Sequence, residues 1–317
     1  MRSLVLACLT LSALAGCADN DPEPTSGEDE PWFIPGDNNE TIPEPFTRFG
    51  DIVNHAAPGG GQGIWLHQGI LLRTNGVDLH LYDARDPRAM VELGNITDMA
   101  GARDVDVLEW QGQTLALIAG SGNGMHVVDV TDPSNPVQLG IWNDFGGDET
   151  GNLHTVATEW IGDRRITVGS VEVGFEIVGG TPYLTGTERS VLYVWDTTDP
   201  ANIQLLSVWE NPDGIGPGQS GIALGAVTGD EVMSTHNLQL EQGRVYMAHY
   251  GLGVWVLDVS TPETQANPAI LAVDLDAGNL WDTIVHQGAI LTSGSTGLRG
   301  YHFAPDVLGP GGIESRA

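Results

Sequence analysis

The sequence predicts an all-β chain, a β-propeller of five four-stranded blades. Three observations predict it: a recurring phrase, the alternating strands around each copy, and the spacing of the copies. The phrase reads LHLYDARDPRAMVELG at 79–94, MHVVDVTDPSNPVQLG at 125–140, LYVWDTTDPANIQLLS at 192–207 and VWVLDVSTP at 254–262. It fades to YHFAP at 301–305. A unit repeated in this way cannot bury its apolar face alone and must stack on its neighbours. Counted by the aspartate that closes the third strand (Asp83, Asp129, Asp196, Asp258), the steps are 46, 67 and 62 residues. The shortest step is normal for a propeller blade.

The chain begins with an address. Met1-Arg2-Ser3 carries a positive charge, and residues 4–15 (LVLACLTLSALA) form an apolar run too short to span a bilayer. Leu14-Ala15-Gly16-Cys17 then resembles the bacterial lipobox. That resemblance implies cleavage of a signal at 1–16, lipidation of Cys17 and an anchor in the bacterial cell envelope. With Ala18 after the cysteine, the outer membrane is the expected destination. Two or more acyl chains hold a protein on a membrane where one does not. Cys8 leaves with the signal, so no disulfide or free thiol is expected in the mature domain. Residues 17–44 follow as an acidic linker with five prolines and no base, expected to be extended and disordered.

The propeller is expected over 45–305, in units of roughly 64–94, 104–143, 153–209, 236–275 and 281–303. The second unit shows the grammar. DVDVL (104–108), TLALIAG (114–120), MHVVDV (125–130) and PVQLGIW (136–142) are short strands separated by turns such as Gln111-Gly112 and SGNG (121–124). The Asp-Pro pairs Asp86-Pro87, Asp132-Pro133 and Asp199-Pro200 explain the phrase. The aspartate side chain caps a turn, and proline is already at the φ the next position needs. Thr261-Pro262 stands there in the fourth unit. The two long steps carry insertions at 172–190 and 210–234. The last unit has only three strands before the tail at 306–317. Residues 45–52, whose PFTRFG matches a fourth strand, are expected to pair there and close the ring, since open edges invite aggregation.

MHVVDVTDPSNPVQLG, GLGVWVLDVSTP and LYVWDTTDP resemble the bacterial LVIVD-repeat family over about 45–305. The resemblance implies a β-propeller on a secreted or surface protein and is nearly silent on activity.

Charge excludes one class of partner. The 317 residues carry 42 acidic against 12 basic side chains, a net charge of −30; every base is arginine. Such a surface repels phosphate backbones, so no nucleic-acid partner is expected.

Propellers bind ligands where innermost strands and loops converge. With the first strand of each blade innermost, Asp104, His154, His236 and Asp282 fall near its start, and Glu172 ends ITVGSVE. Imidazoles and carboxylates from separate blades suit Ca²⁺ or a transition metal. The plainer alternative is that they bond only to water and one another. Most tryptophans read as packing between blades. The first functional expectation is therefore a non-catalytic, lipid-anchored binding or scaffold protein with a protein or glycan ligand. The alternatives are a metal-dependent hydrolase or oxidoreductase at the channel mouth, and a calcium-stabilised adhesin.

Overall fold

A computed structural model describes residues 61–86, 89–99, 101–121, 124–145, 153–172, 175–178, 181–184, 191–212, 235–275, 280–286, 289–294, 297–302 and 314–315. They form five antiparallel four-stranded sheets in the order predicted. The first holds β1 (Ile64–His67), β2 (Ile70–Thr74), β3 (Leu79–Asp83) and β4 (Val91–Ile96). The second holds β5 (Ala102–Trp110), β6 (Gln113–Gly120), β7 (Gly124–Asp129) and β8 (Val137–Trp142).

The third sheet begins with β9 (Leu153–Ile161) and β10 (Arg164–Val171). A two-stranded hairpin, β11 (Phe175–Val178) and β12 (Thr181–Leu184), is inserted before β13 (Val191–Asp196) and β14 (Gln204–Glu210) complete it. The fourth holds β15 (Thr235–Glu241), β16 (Arg244–His249), β17 (Gly253–Asp258) and β18 (Ala269–Asp274). The fifth holds β19 (Leu280–His286), β20 (Ala289–Gly294), β21 (Gly297–His302) and β22 (Glu314–Ser315).

The fourth position of the last sheet is thus taken by the C-terminal β22, pairing Tyr301 with Ser315. Residues 45–52, expected at this edge, lie outside the described residues, as do the signal, Cys17 and the linker.

Burial explains why the middle strands read as unbroken apolar runs. The second, third and fourth sheets are packed on both faces, so both side-chain sets of their middle strands are buried. On β6, Leu115, Leu117 and Ala119 pack toward the third sheet with Tyr193 and Trp195. Ala116 and Ile118, on the opposite face, join Leu72, Leu79 and Leu81 of the first sheet. Likewise Val245 and Met247 of β16 meet Ile166 and Val168, while Tyr246 and Ala248 meet the fifth sheet. Trp195 and Trp255 are buried in these layers, as expected for packing between blades; Trp160 is exposed beside Arg165.

The third strands end on their aspartates, and those aspartates cap the following turn. Asp83, Asp129, Asp196 and Asp258 accept the N–H groups of Arg85, Thr131, Thr198 and Ser260 at 2.8–3.1 Å. The Asp-Pro aspartates repeat the device. Asp132 accepts from Ser134 at 3.0 Å and Asp199 from Ala201 at 3.1 Å, with Pro133 and Pro200 at the turn position between. The Asp86 carbonyl accepts from Ala89 at 2.9 Å; Pro87 lies outside the described residues. The fourth unit differs. Thr261 caps a one-turn helix, α1 (Pro262–Ala266), through a reciprocal bond with Thr264, which the proline at its first position favours.

Hydrogen bonds to the first strands join neighbouring sheets. Asp104 and Asp106 of β5 accept the Val156 and Thr158 N–H groups of β9 at 3.0 and 2.6 Å. Gln239 of β15 accepts Val285 N–H of β19 at 2.6 Å. Between the first two sheets, Thr74 donates to the Arg103 carbonyl at 2.7 Å. A Cβ at Gly63 would stand 2.7 Å from that same carbonyl, so only glycine permits this approach.

Candidate functional site

Four of the five first strands begin with the same irregularity. In β5, Ala102 pairs with Gly120 and Asp104 with Ala119, leaving Arg103 as the extra residue. In β9, Leu153 and Thr155 pair with Val171 and Ser170, leaving His154. In β15, His236 and Asn237 lie between paired Thr235 and Leu238. In β19, Leu280 and Asp282 are paired and Trp281 is left. A β-bulge re-aims the side chain of its extra residue. Here the bulges sit at the same end of neighbouring strands, opposite the Asp-Pro turns. The second strands finish at that end too, delivering Glu172 just past β10 and Tyr250 just past β16.

These residues meet. One donor atom each from His154, Glu172 and His236 lie within 4.8 Å of one another. His154 Nδ1 is 3.0 Å from Glu172 Oε2, and His236 Nε2 is 4.0 Å from Glu172 Oε1. The two imidazole centroids are 4.6 Å apart. Buried His154 Nδ1 has no hydrogen bond of proper geometry despite its close approach to the carboxylate. His236 Nδ1 contacts the Trp281 carbonyl oxygen, an acceptor only, so this nitrogen donates. Tyr250 donates to Glu172 Oε1 at 2.5 Å, and its ring lies 4.9 Å from that of His236. Arg103 Nη1 stands 3.9 Å from Glu172 Oε2. The cluster is partly open: the side chains of His154, Glu172 and His236 are 16, 20 and 21 % exposed.

Burial and neighbours set the charges. Burial would raise the Glu172 carboxyl, but His154, His236 and the Tyr250 hydroxyl outweigh it and hold the group below the usual carboxylate range. Burial, then the charge of His154, lowers His236 to about 4 against the pull of Glu172. Burial and the Glu172 charge raise Tyr250, which stays protonated.

Three of the five candidate ligands predicted from sequence, His154, Glu172 and His236, therefore come together, and Asp104 and Asp282 lie outside that group. Each follows its bulge by one residue, and a one-residue step turns a strand side chain to the other face. Asp104 bonds to Val156, and Asp282 accepts Thr283 N–H at 2.9 Å. Burial raises both to about 6. Tyr250 and Arg103 are not among the residues the sequence predicts for the site. Arg103 carried a signal: Ala-Arg-Asp at 102–104 aligns with Leu-His-Thr at 153–155 and Thr-His-Asn at 235–237. The Trp281 carbonyl is main chain, which no residue type announces.

No family model matches the sequence, and no curated protein matches it. Solved structures do. The periplasmic gluconolactonase PpgL of Pseudomonas aeruginosa superposes with a TM-score of 0.54 at 9% identity, covering 80% of this chain and 69% of that one. At that identity the likeness shows the fold, a β-propeller, and no more. The computationally designed Ika8 protein aligns over 78% of this chain and 72% of its own, at 10% identity and a TM-score of 0.40.

Proposed function

We propose that this chain is an exported lipoprotein of the LVIVD-repeat kind, anchored through Cys17 to the bacterial outer membrane, whose propeller carries a mononuclear metal centre. His154, Glu172 and His236 hold a divalent transition metal, and the remaining coordination positions take water and substrate. Two imidazoles and one carboxylate with an open position form a catalytic rather than a structural zinc set. A metal-dependent hydrolase is the activity this supports best. When bound, such a metal would supply a Lewis acid that activates water, and Tyr250 and the Trp281 carbonyl would orient its ligands.

One observation carries the reading. With its Nδ1 donating to Trp281, a neutral His236 keeps a lone pair on Nε2, which stands 4.0 Å from a carboxylate oxygen. Two electron-rich atoms this close in a largely buried site are best accommodated with a cation beside both. A metal-bound histidine typically gives its second nitrogen to a carbonyl in this way. Tetrahedral zinc places donor atoms roughly 3.3 Å apart, between the 3.0 and 4.0 Å seen here.

Metal analysis of the purified chain tests this. One equivalent of zinc, iron or another transition metal is expected, and none in the His154→Ala, His236→Ala double variant. A wild-type chain that takes up no transition metal would sink the centre. It would leave His236 and Glu172 as ordinary polar neighbours on a scaffold for protein or glycan ligands.

A further inference from the structure

Arg103 stands beside the three ligands with no part in holding a metal. Its bulge in β5 corresponds to those of His154 in β9 and His236 in β15, so three successive blades direct their extra residue to one mouth. The guanidinium is near enough to Glu172 to feel its charge, yet 3.9 Å is too long for a hydrogen bond. Among the described residues it makes no hydrogen bond, and the side chain is 34% exposed. Most of its donors are therefore uncommitted among the described residues.

Such a placement is costly without a ligand. A guanidinium and a divalent metal sharing the Glu172 carboxylate repel each other, and one carboxylate does not neutralise both. A second anion bridging metal and guanidinium would relieve the repulsion. The fork of an arginine matches the paired oxygens of a carboxylate or phosphate. The net charge of −30 disfavours anions at long range, so a local clamp would be needed to hold one.

We infer that Arg103 and the open positions of the metal together bind an oxyanion group, carboxylate or phosphate, of the substrate. The inference rests on the metal-centre reading. It makes Arg103 a substrate-binding residue and the substrate an anion.

Cobalt(II) separates the two claims, because its visible spectrum reports its ligands. The full chain loaded with one equivalent of Co²⁺ is titrated separately with acetate and with inorganic phosphate. At least one is expected to shift the spectrum and saturate, and the one that does so at lower concentration names the group. Arg103→Met should keep its cobalt and weaken that anion by about tenfold or more; Arg103→Lys, which keeps charge and loses the fork, should fall between. Unaltered anion affinity in both variants, or no spectral response to either anion in the wild type, overturns the clamp and leaves the centre standing. Loss of cobalt from a folded Arg103→Met chain also overturns it, since Arg103 would then serve the metal. A wild-type chain that binds no cobalt removes the centre and the clamp together. If Arg103→Met does not fold, Arg103→Lys carries the test alone.

Discussion

The two ends of the strands in this molecule are built on different plans. At one end the third strands of four sheets finish on aspartates 83, 129, 196 and 258, each capping its own turn in the same way. At the other end four first strands begin with a bulge, and the residue it frees is not one fixed type: Arg103, His154, His236 and Trp281. Repetition marks what every blade needs in order to turn. Variation at an equivalent backbone position marks what only one site needs. The inserted hairpin β11–β12 also leaves from the varied end, directly after Glu172.

The largest predicted effect concerns a tie between neighbouring sheets, away from either end. Asp106 is 2 % exposed and accepts Val107 and Thr158 N–H groups at 2.5 and 2.6 Å. Burial raises it to about 7, against those two bonds and the Arg165 charge. A carboxyl whose folded pKa lies above its unfolded value of about 3.9 keeps a proton that the unfolded chain gives up. Its contribution is therefore full below pH ~4, declines as pH rises, and is lost above about 7. The shift corresponds to an upper figure of about 4 kcal/mol. Thermal melts at pH 5 and pH 8 should show the wild type losing more stability than Asp106→Asn, which cannot ionise. Equal losses in the two proteins would mean that Asp106 titrates normally.

The repeated end was legible in the sequence because its chemistry is local. An aspartate capping the N–H two residues on, with proline to follow, needs nothing from elsewhere in the chain, so units and strand ends could be read directly. The mouth was legible only in part. His154 and His236 were recognisable as equivalents because both are imidazoles near the start of a first strand. Asp104 and Asp282 were grouped with them because a bulge, which shifts register by one residue, is invisible in a residue pattern. Arg103, the true counterpart in the second unit, is masked in that pattern by the acid beside it. The last sheet shows the same limit: two residues of the tail, Glu314 and Ser315, pair with β21, and so short a strand has no period to detect.

A smaller effect is expected at Tyr250, on the varied end. Its hydroxyl holds one oxygen of Glu172, so Tyr250→Phe frees the carboxylate to rotate without removing a ligand. Groups in this supporting position are typically worth ten- to a hundredfold in metal affinity. A loss near the lower figure is expected in competition titrations against a chelator, with metal stoichiometry unchanged. Undiminished affinity would show that His154 and His236 alone fix the carboxylate.

The smallest effect tests the contrast from the repeated end. Asp129 accepts Thr131 N–H at 2.9 Å and the Gln113 side-chain amide at 2.7 Å, one bond within its turn and one to the neighbouring strand. Asp129→Ala removes both acceptors but leaves the two donors within reach of water, since the turn is on the surface. The cost is therefore about 1 kcal/mol rather than the larger penalty of buried orphaned donors. That cost should appear as a melting temperature lowered by a few degrees and as nothing else. Metal stoichiometry, cobalt spectrum and anion response should all match the wild type, because no bond of Asp129 reaches the bulged ends of the first strands. A change in the cobalt spectrum of this variant would mean that the two ends are coupled through the length of the blade, and the division between a repeated structural end and a varied functional one would fail.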